Sequence, residues 1–143
     1  IIIAAEHATY CLPELRSGII ADAATIKLPR RIHYHVAVEI LFTGRVIDAD
    51  EAKHWGIINE IVPADKHMDR AREVADLLAE GPPLVYAAIK ETIEKTSHLP
   101  EKEALALLMK RGLPTIAKLY ASEDQLEGAK AFAEKRAPVW KGR

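Results

Sequence analysis

Only two stretches of this chain read as β-strand, Ile1-Ile2-Ile3-Ala4-Ala5 and Ile57-Ile58-Asn59-Glu60-Ile61-Val62, and they stand far apart. The first is an unbroken apolar run, as expected of the end of a buried strand. The second is β-branched and is closed by Pro63. A buried strand needs sheet neighbours on its edges. The chain also opens at Ile1 without an initiator methionine or a signal peptide pattern. It therefore reads as the C-terminal part of a longer polypeptide, an α/β or α+β piece.

Between the two strand runs the punctuation is local and legible. Pro13 fixes φ and withholds a donor, so the first strand region should end near it and the chain should turn through Glu14 to Gly18. Ile19 to Thr25 reads as a small-residue loop or a short helical turn. A helix is expected from about Tyr34 to Phe42, with Val36, Ile40 and Leu41 on its apolar side and Gly44 as its stop. Asp48-Ala49-Asp50-Glu51 has capping-box spacing, so a short helix should run to Trp55 and end at Gly56.

From Pro63 onward only helical spacing appears. Met68, Ala71, Val74, Ala75 and Leu78 recur between Ala64 and Glu80, and Gly81 closes that helix. Pro82-Pro83 opens a second, with Val85, Ala88, Ile89 and Ile93 on one face. A third is expected from Glu101 to about Arg111, and Ser122 with Gln125 three residues on starts a last helix to about Arg136. The boundary between the strand-bearing part, residues 1–62, and the helical part, residues 63–143, is set by this change of period. Stripes of this kind are usually plain core; here, with so small a sheet to cover, they are expected to cover either the upstream half of the polypeptide or another subunit, and self-association is expected.

Composition excludes several classes of partner. The 143 residues carry a formal net charge of −1 with no basic cluster, which argues against nucleic acid. No apolar run approaches the roughly 20 residues of a membrane helix. The single cysteine, Cys11, has no internal partner and suits a reducing cytoplasm. It is expected to be buried and inert. The six histidines include one close pair with no acidic residue at ligand spacing, so no metal site is expected. Arg30 and Arg31 read as a solvated face at a helix entrance.

Glu14 sits where the chain leaves a sheet, a place where catalytic side chains are often held, but read alone it is a solvated turn carboxylate, since charged residues are mostly exposed. The order of motifs reverses that reading and makes Glu14 the candidate catalytic residue. Ala4-Ala5-Glu6-His7-Ala8 precedes the Pro13-Glu14 step and Gly18, followed by Leu28-Pro29-Arg30 and Thr43-Gly44-Arg45. Next come Trp55-Gly56-Ile57-Ile58-Asn59, Val62-Pro63, Ser122 to Gly128, and Ala131-Phe132-Ala133-Glu134-Lys135-Arg136. In this order, over essentially the whole chain, they resemble the second half of the crotonase superfamily of enoyl-CoA hydratases and isomerases. The final run Phe132 to Arg143 further resembles a dehydratase branch of that family.

The resemblance implies the C-terminal part of a ββα spiral followed by a helical region that assembles trimers or hexamers. It implies an acyl-CoA substrate, which itself carries the coenzyme A, so no separate cofactor is expected. The thioester oxygen would be held by backbone N–H donors that stabilise an enolate-like intermediate. Glu14 matches the glutamate that transfers the α-carbon proton, as acid in hydration and as base in the reverse. In isomerases the same position moves the proton between carbons. Phe132 and Lys135 match residues that reach a neighbouring subunit's coenzyme A, at the adenine and at a phosphate. Read alone they are a core phenylalanine and a solvated lysine at a helix end.

The chain departs from the family where the loop after Gly18 usually holds a proline and a glycine pair. Ala21 and Ala23-Ala24-Thr25 stand there instead, near where the family places the acyl group. The oxyanion loops and the first catalytic glutamate, which the family carries upstream of the Ile1 strand, lie outside this sequence. The competing functions are therefore a hydratase, an isomerase of the same fold, or a non-catalytic fragment or assembly module.

Overall fold

The computed structural model describes all 143 residues, as a mixed α/β chain that is mostly helical. It divides into two compact units, Ile1–Ala75 and Asp76–Arg143. This division lies within a helix, past the change of period at Pro63.

In the first unit, β1 (Ile3–Ala5) pairs in parallel with β4 (Glu60–Val62), in the register Ile3 to Glu60, Ala4 to Ile61 and Ala5 to Val62. The Asn59 side chain extends the pairing by accepting the Ile2 N–H at 2.8 Å. A separate antiparallel pair joins β2 (Thr9–Tyr10) to β3 (Ile47–Asp48). Both strand runs prove shorter than the sequence suggested. Ile1 and Ile2 are exposed and only Ala4 is buried, because a two-stranded sheet covers so little of the run. Ile57 and Ile58 are not strand; their N–H groups turn back to the Ala52 carbonyl at 2.8 and 3.4 Å.

A 3-10 turn, Pro13–Ser17, follows β2, and α1 (Asp22–Lys27) and a second 3-10 turn (Leu28–Arg30) lead to α2 (Tyr34–Thr43). Gly44 ends α2 with φ +57°, and Gly56 follows α3 (Ala49–His54) with φ +73°. Asp48 caps α3 by accepting the Glu51 N–H at 2.8 Å. The capping box is only half formed. The Glu51 carboxylate accepts instead from Arg45 Nη2 at 2.5 Å and Trp55 Nε1 at 3.2 Å, because an ion pair outcompetes the Asp48 N–H. The core here is Ala4, Ile40, Ile47, Ala49, Ala52 and Ile58.

The helix α4 (His67–Ala79) begins after a turn closed by Lys66 N–H to Pro63 O, and none of its residues is buried. Arg70 ties it to β4 through both Glu60 carboxylate oxygens, at 3.0 and 3.1 Å.

The second unit holds α5 (Pro83–Thr96), α6 (Glu101–Met109), α7 (Pro114–Tyr120) and α8 (Glu123–Glu134). The buried side of α5 is Leu84 and Ala88, whereas Ile89 and Ile93 face outward. The expected stripe was thus rotated by one position, because α7 packs on the Ala88 side: Ala88, Leu113 and Ile116 form the core. Helix α7 had no apolar stripe long enough to announce it. Its start is capped from α5, where the Glu91 carboxylate accepts the Thr115 N–H at 2.9 Å and its hydroxyl at 2.5 Å. Ser122 caps α8 by accepting the Gln125 N–H at 3.1 Å.

Candidate active site

Pro13 occupies the first position of the 3-10 turn, where its missing N–H costs nothing, and Glu14 follows it. Gly18, at φ +73°, closes the turn by donating to Leu15 O at 3.1 Å, and Ile19 donates to Glu14 O at 3.3 Å. The turn rests on the end of α2. A Cβ on Gly44 would lie 2.8 Å from Leu15 Cδ2 and 3.1 Å from Leu12 O, so only glycine admits this approach. Arg16 Nη2 reaches the Gly44 carbonyl at 3.4 Å. The two motifs that the sequence placed far apart, Pro13-Glu14 and Thr43-Gly44-Arg45, are thereby in contact.

Held this way, Glu14 is half-buried, and its Oε2 is buried with no hydrogen-bond partner. It is the only buried side-chain oxygen or nitrogen left so. Native structures seldom leave such an atom unpaired, and a reacting group is one of the standard reasons. An apolar cavity of about 270 Å³ is lined by Leu12 and Leu15, on either side of Glu14 in sequence, with Ile19, Ile20, Leu41 and Phe42. Ala21 and Thr25, from the loop that departs from the family pattern, complete its wall. Cys11 is exposed rather than buried, and it lies just past the end of β2, between Tyr10 and Leu12, which pack on the core instead.

Arg45, next to Gly44, holds Glu39 through Nε and Nη2 at 2.6 and 2.9 Å, and Glu51 through Nη1 and Nη2 at 2.8 and 2.5 Å. Hydrogen bonding to Arg45 holds both carboxyls below the usual glutamate range. These three residues fix the exit of α2 against α3.

Phe132 and Lys135 lie in the other unit, at the C-terminal end of α8. Phe132 is 87% exposed and takes no part in the core of this unit. Lys135 ends the helix in the left-handed region, at φ +55° and ψ +40°. Glu127, Asp124 and Glu91 carry structure that the sequence did not reveal. Asp124 is 3% exposed, and its two oxygens accept the Lys141 and Gly142 N–H groups, each at 2.8 Å. Its signal was the acidic first turn after Ser122, which reads equally well as a solvated helix start.

The family model for enoyl-CoA hydratase/isomerase matches residues 1–143. The chain is 44% identical to a carnitinyl-CoA dehydratase of Proteus mirabilis and 42% identical to one of Citrobacter koseri, over 99% of its own length. It spans about half of these relatives, 55% of each. Among solved structures, an enoyl-CoA hydratase of Bacillus anthracis superposes with a TM-score of 0.88 at 34% identity, over 99% of this chain and 54% of that one. One of Mycobacterium tuberculosis gives 0.89 at 30% identity, over 100% and 56%. The Pro-Glu turn braced by Gly44 thus sits in a chain that matches this family from its first residue to its last. The chain belongs to the enoyl-CoA hydratase/isomerase family, and its fold is part of the crotonase fold.

Proposed function

We propose that this chain carries the α-carbon proton-transfer part of an enoyl-CoA hydratase, with Glu14 as the group that moves the proton. The observation that carries the reading is the buried, unpartnered Glu14 Oε2 on a turn that Gly44 holds in place. A carboxylate with one free oxygen can deliver or take a proton without first breaking a hydrogen bond. The apolar cavity lined by its sequence neighbours Leu12 and Leu15 suits the acyl part of a thioester. The identity to carnitinyl-CoA dehydratases supports a dehydratase of that type, working on a 3-hydroxyacyl or 2-enoyl thioester.

In this reading the thioester brings its own coenzyme A and no further cofactor is used. Phe132 and Lys135 contact the nucleotide end of the coenzyme A held by a neighbouring subunit, the exposed ring by stacking and the ammonium by pairing with a phosphate. The protein works as a homotrimer or hexamer in the cytoplasm. The exposed Ile89, Ile93, Leu105 and Met109 support self-association. No helix is long and apolar enough to cross a membrane.

The test is Glu14→Gln in the full-length protein, assayed for hydration of crotonyl-CoA and for dehydration of the 3-hydroxy product. The substitution conserves volume, so folding and assembly should persist while turnover falls by about 10³-fold. Unchanged turnover would remove Glu14 from the mechanism. In the unsubstituted protein, double-bond migration without hydration would favour the isomerase reading, and the absence of both activities would leave the assembly module.

A further inference from the structure

Two adjacent cations end α8, and they are used differently. Arg136 is fully engaged: Nη1 and Nη2 donate to Glu127 Oε1 and Oε2 at 2.6 and 3.0 Å, and Nε donates to Glu134 Oε2 at 2.6 Å. Glu127 Oε1 also accepts the Val139 N–H at 2.9 Å, so the segment after the helix is held by the same carboxylate. Lys135 is exposed and enters no ion pair.

The backbone between them is strained. Lys135 is one of only two non-glycine residues with positive φ. Helices commonly end in this conformation, but usually on glycine. Here the Arg136 N–H closes the turn on Ala131 O at 3.1 Å, and the Arg136 side chain is clamped by Glu134, two residues back, and by Glu127, nine residues back. A bidentate guanidinium–carboxylate pair fixes direction as well as distance. It sets which way the chain leaves α8, and with it where the free ammonium of Lys135 starts.

We propose that Glu127 is a positioning residue for an anion-binding site at the end of α8, acting through Arg136 to hold Lys135 toward a phosphate of coenzyme A. The inference rests on the reading of Lys135 given above, and goes beyond it by naming what orients that lysine. Arg136 is spent on structure so that Lys135 stays free for ligand. Surrendering the clamp would let the Lys135 turn relax toward the ordinary helical or extended regions and spread the ammonium over many positions.

The experiment is calorimetric titration of the full-length protein with free coenzyme A and, in parallel, with pantetheine, which lacks the nucleotide and its phosphates. Lys135→Ala should weaken coenzyme A binding about tenfold, the scale of one charge-assisted contact, and leave pantetheine binding unchanged. Glu127→Gln should weaken coenzyme A by about three- to tenfold, again sparing pantetheine. The double variant should bind no more weakly than Lys135→Ala alone, because Glu127 acts only through the lysine. Arg136→Lys, which keeps the charge and loses the fork, should reproduce Glu127→Gln and serves where that variant fails to fold.

If Lys135→Ala weakens coenzyme A while Glu127→Gln and Arg136→Lys do not, the positioning role is overturned and the phosphate reading stands. Equal losses for pantetheine, or additive losses in the double variant, would make the clamp merely structural and also overturn it. If Lys135→Ala has no effect, or coenzyme A does not bind, the phosphate reading itself falls and the proposal with it.

Discussion

Gly44 and Leu15 meet closely enough that a methyl group on the glycine would lie 2.8 Å from Leu15 Cδ2. The end of one helix therefore supports the turn that carries Glu14. The arrangement makes the position of a carboxylate depend on the absence of a side chain thirty residues downstream.

Gly44→Ala should consequently cost more than Gly18→Ala. Both residues have positive φ, at +57° and +73°, but an added Cβ at Gly18 meets nothing within 4 Å. Backbone strain alone should cost Gly18→Ala about 1 kcal/mol. Gly44→Ala adds overlap with Leu15 and Leu12, raising the loss to about 2–3 kcal/mol and lowering turnover as the Glu14 turn shifts. Urea denaturation of both variants, with activity of the full-length protein, checks the order.

Glu14→Gln should leave stability unchanged or raise it, by up to about 1 kcal/mol, while activity is lost. Its buried Oε2 makes no hydrogen bond, so no partner is orphaned by the change. A marked fall in melting temperature would show that the carboxylate serves the fold instead.

Glu127 should make part of the protein's stability acid-sensitive. Hydrogen bonds from Arg136 and the Val139 N–H lower its carboxyl from 4.5 to about 2. The folded value lies below the unfolded one, so the contribution is complete above the unfolded value and disappears as pH falls through the folded one. The stability gap between the native protein and Glu127→Gln should be constant from about pH 6 upward and close as pH approaches about 2. Chemical denaturation across that range measures it.

Lys135→Gly should raise stability by roughly 1 kcal/mol, since glycine meets the left-handed conformation without strain. The same variant should lose affinity for coenzyme A. A gain in stability with affinity intact would mean that the lysine is dispensable.

Asp48→Ala should cost about 1 kcal/mol through loss of the α3 cap, which accepts the Glu51 N–H at 2.8 Å. Asp48→Asn should recover most of it. Thermal melts of the two variants provide the comparison.

The local signals were those that a few neighbouring residues decide. Pro13 before Glu14, Gly44 and Gly56 after their helices, and Asp48 and Ser122 as caps act over three or four residues, and each stands where the sequence puts it. Family membership was legible for the same reason, since it is written in the order of such short motifs. What the sequence could not decide is whatever depends on distant packing. Whether Ile89 faces in or out depends on where α7 lies, and α7 itself is held by Glu91 from another helix. Whether Glu51 closes a capping box or pairs with Arg45 is a competition between partners that only the folded chain brings together. The same holds at the site. A proline and a glutamate in succession mark a turn, but the unpaired buried oxygen of Glu14 and the free ammonium of Lys135 exist only because tertiary contacts supply partners to some polar groups and withhold them from others.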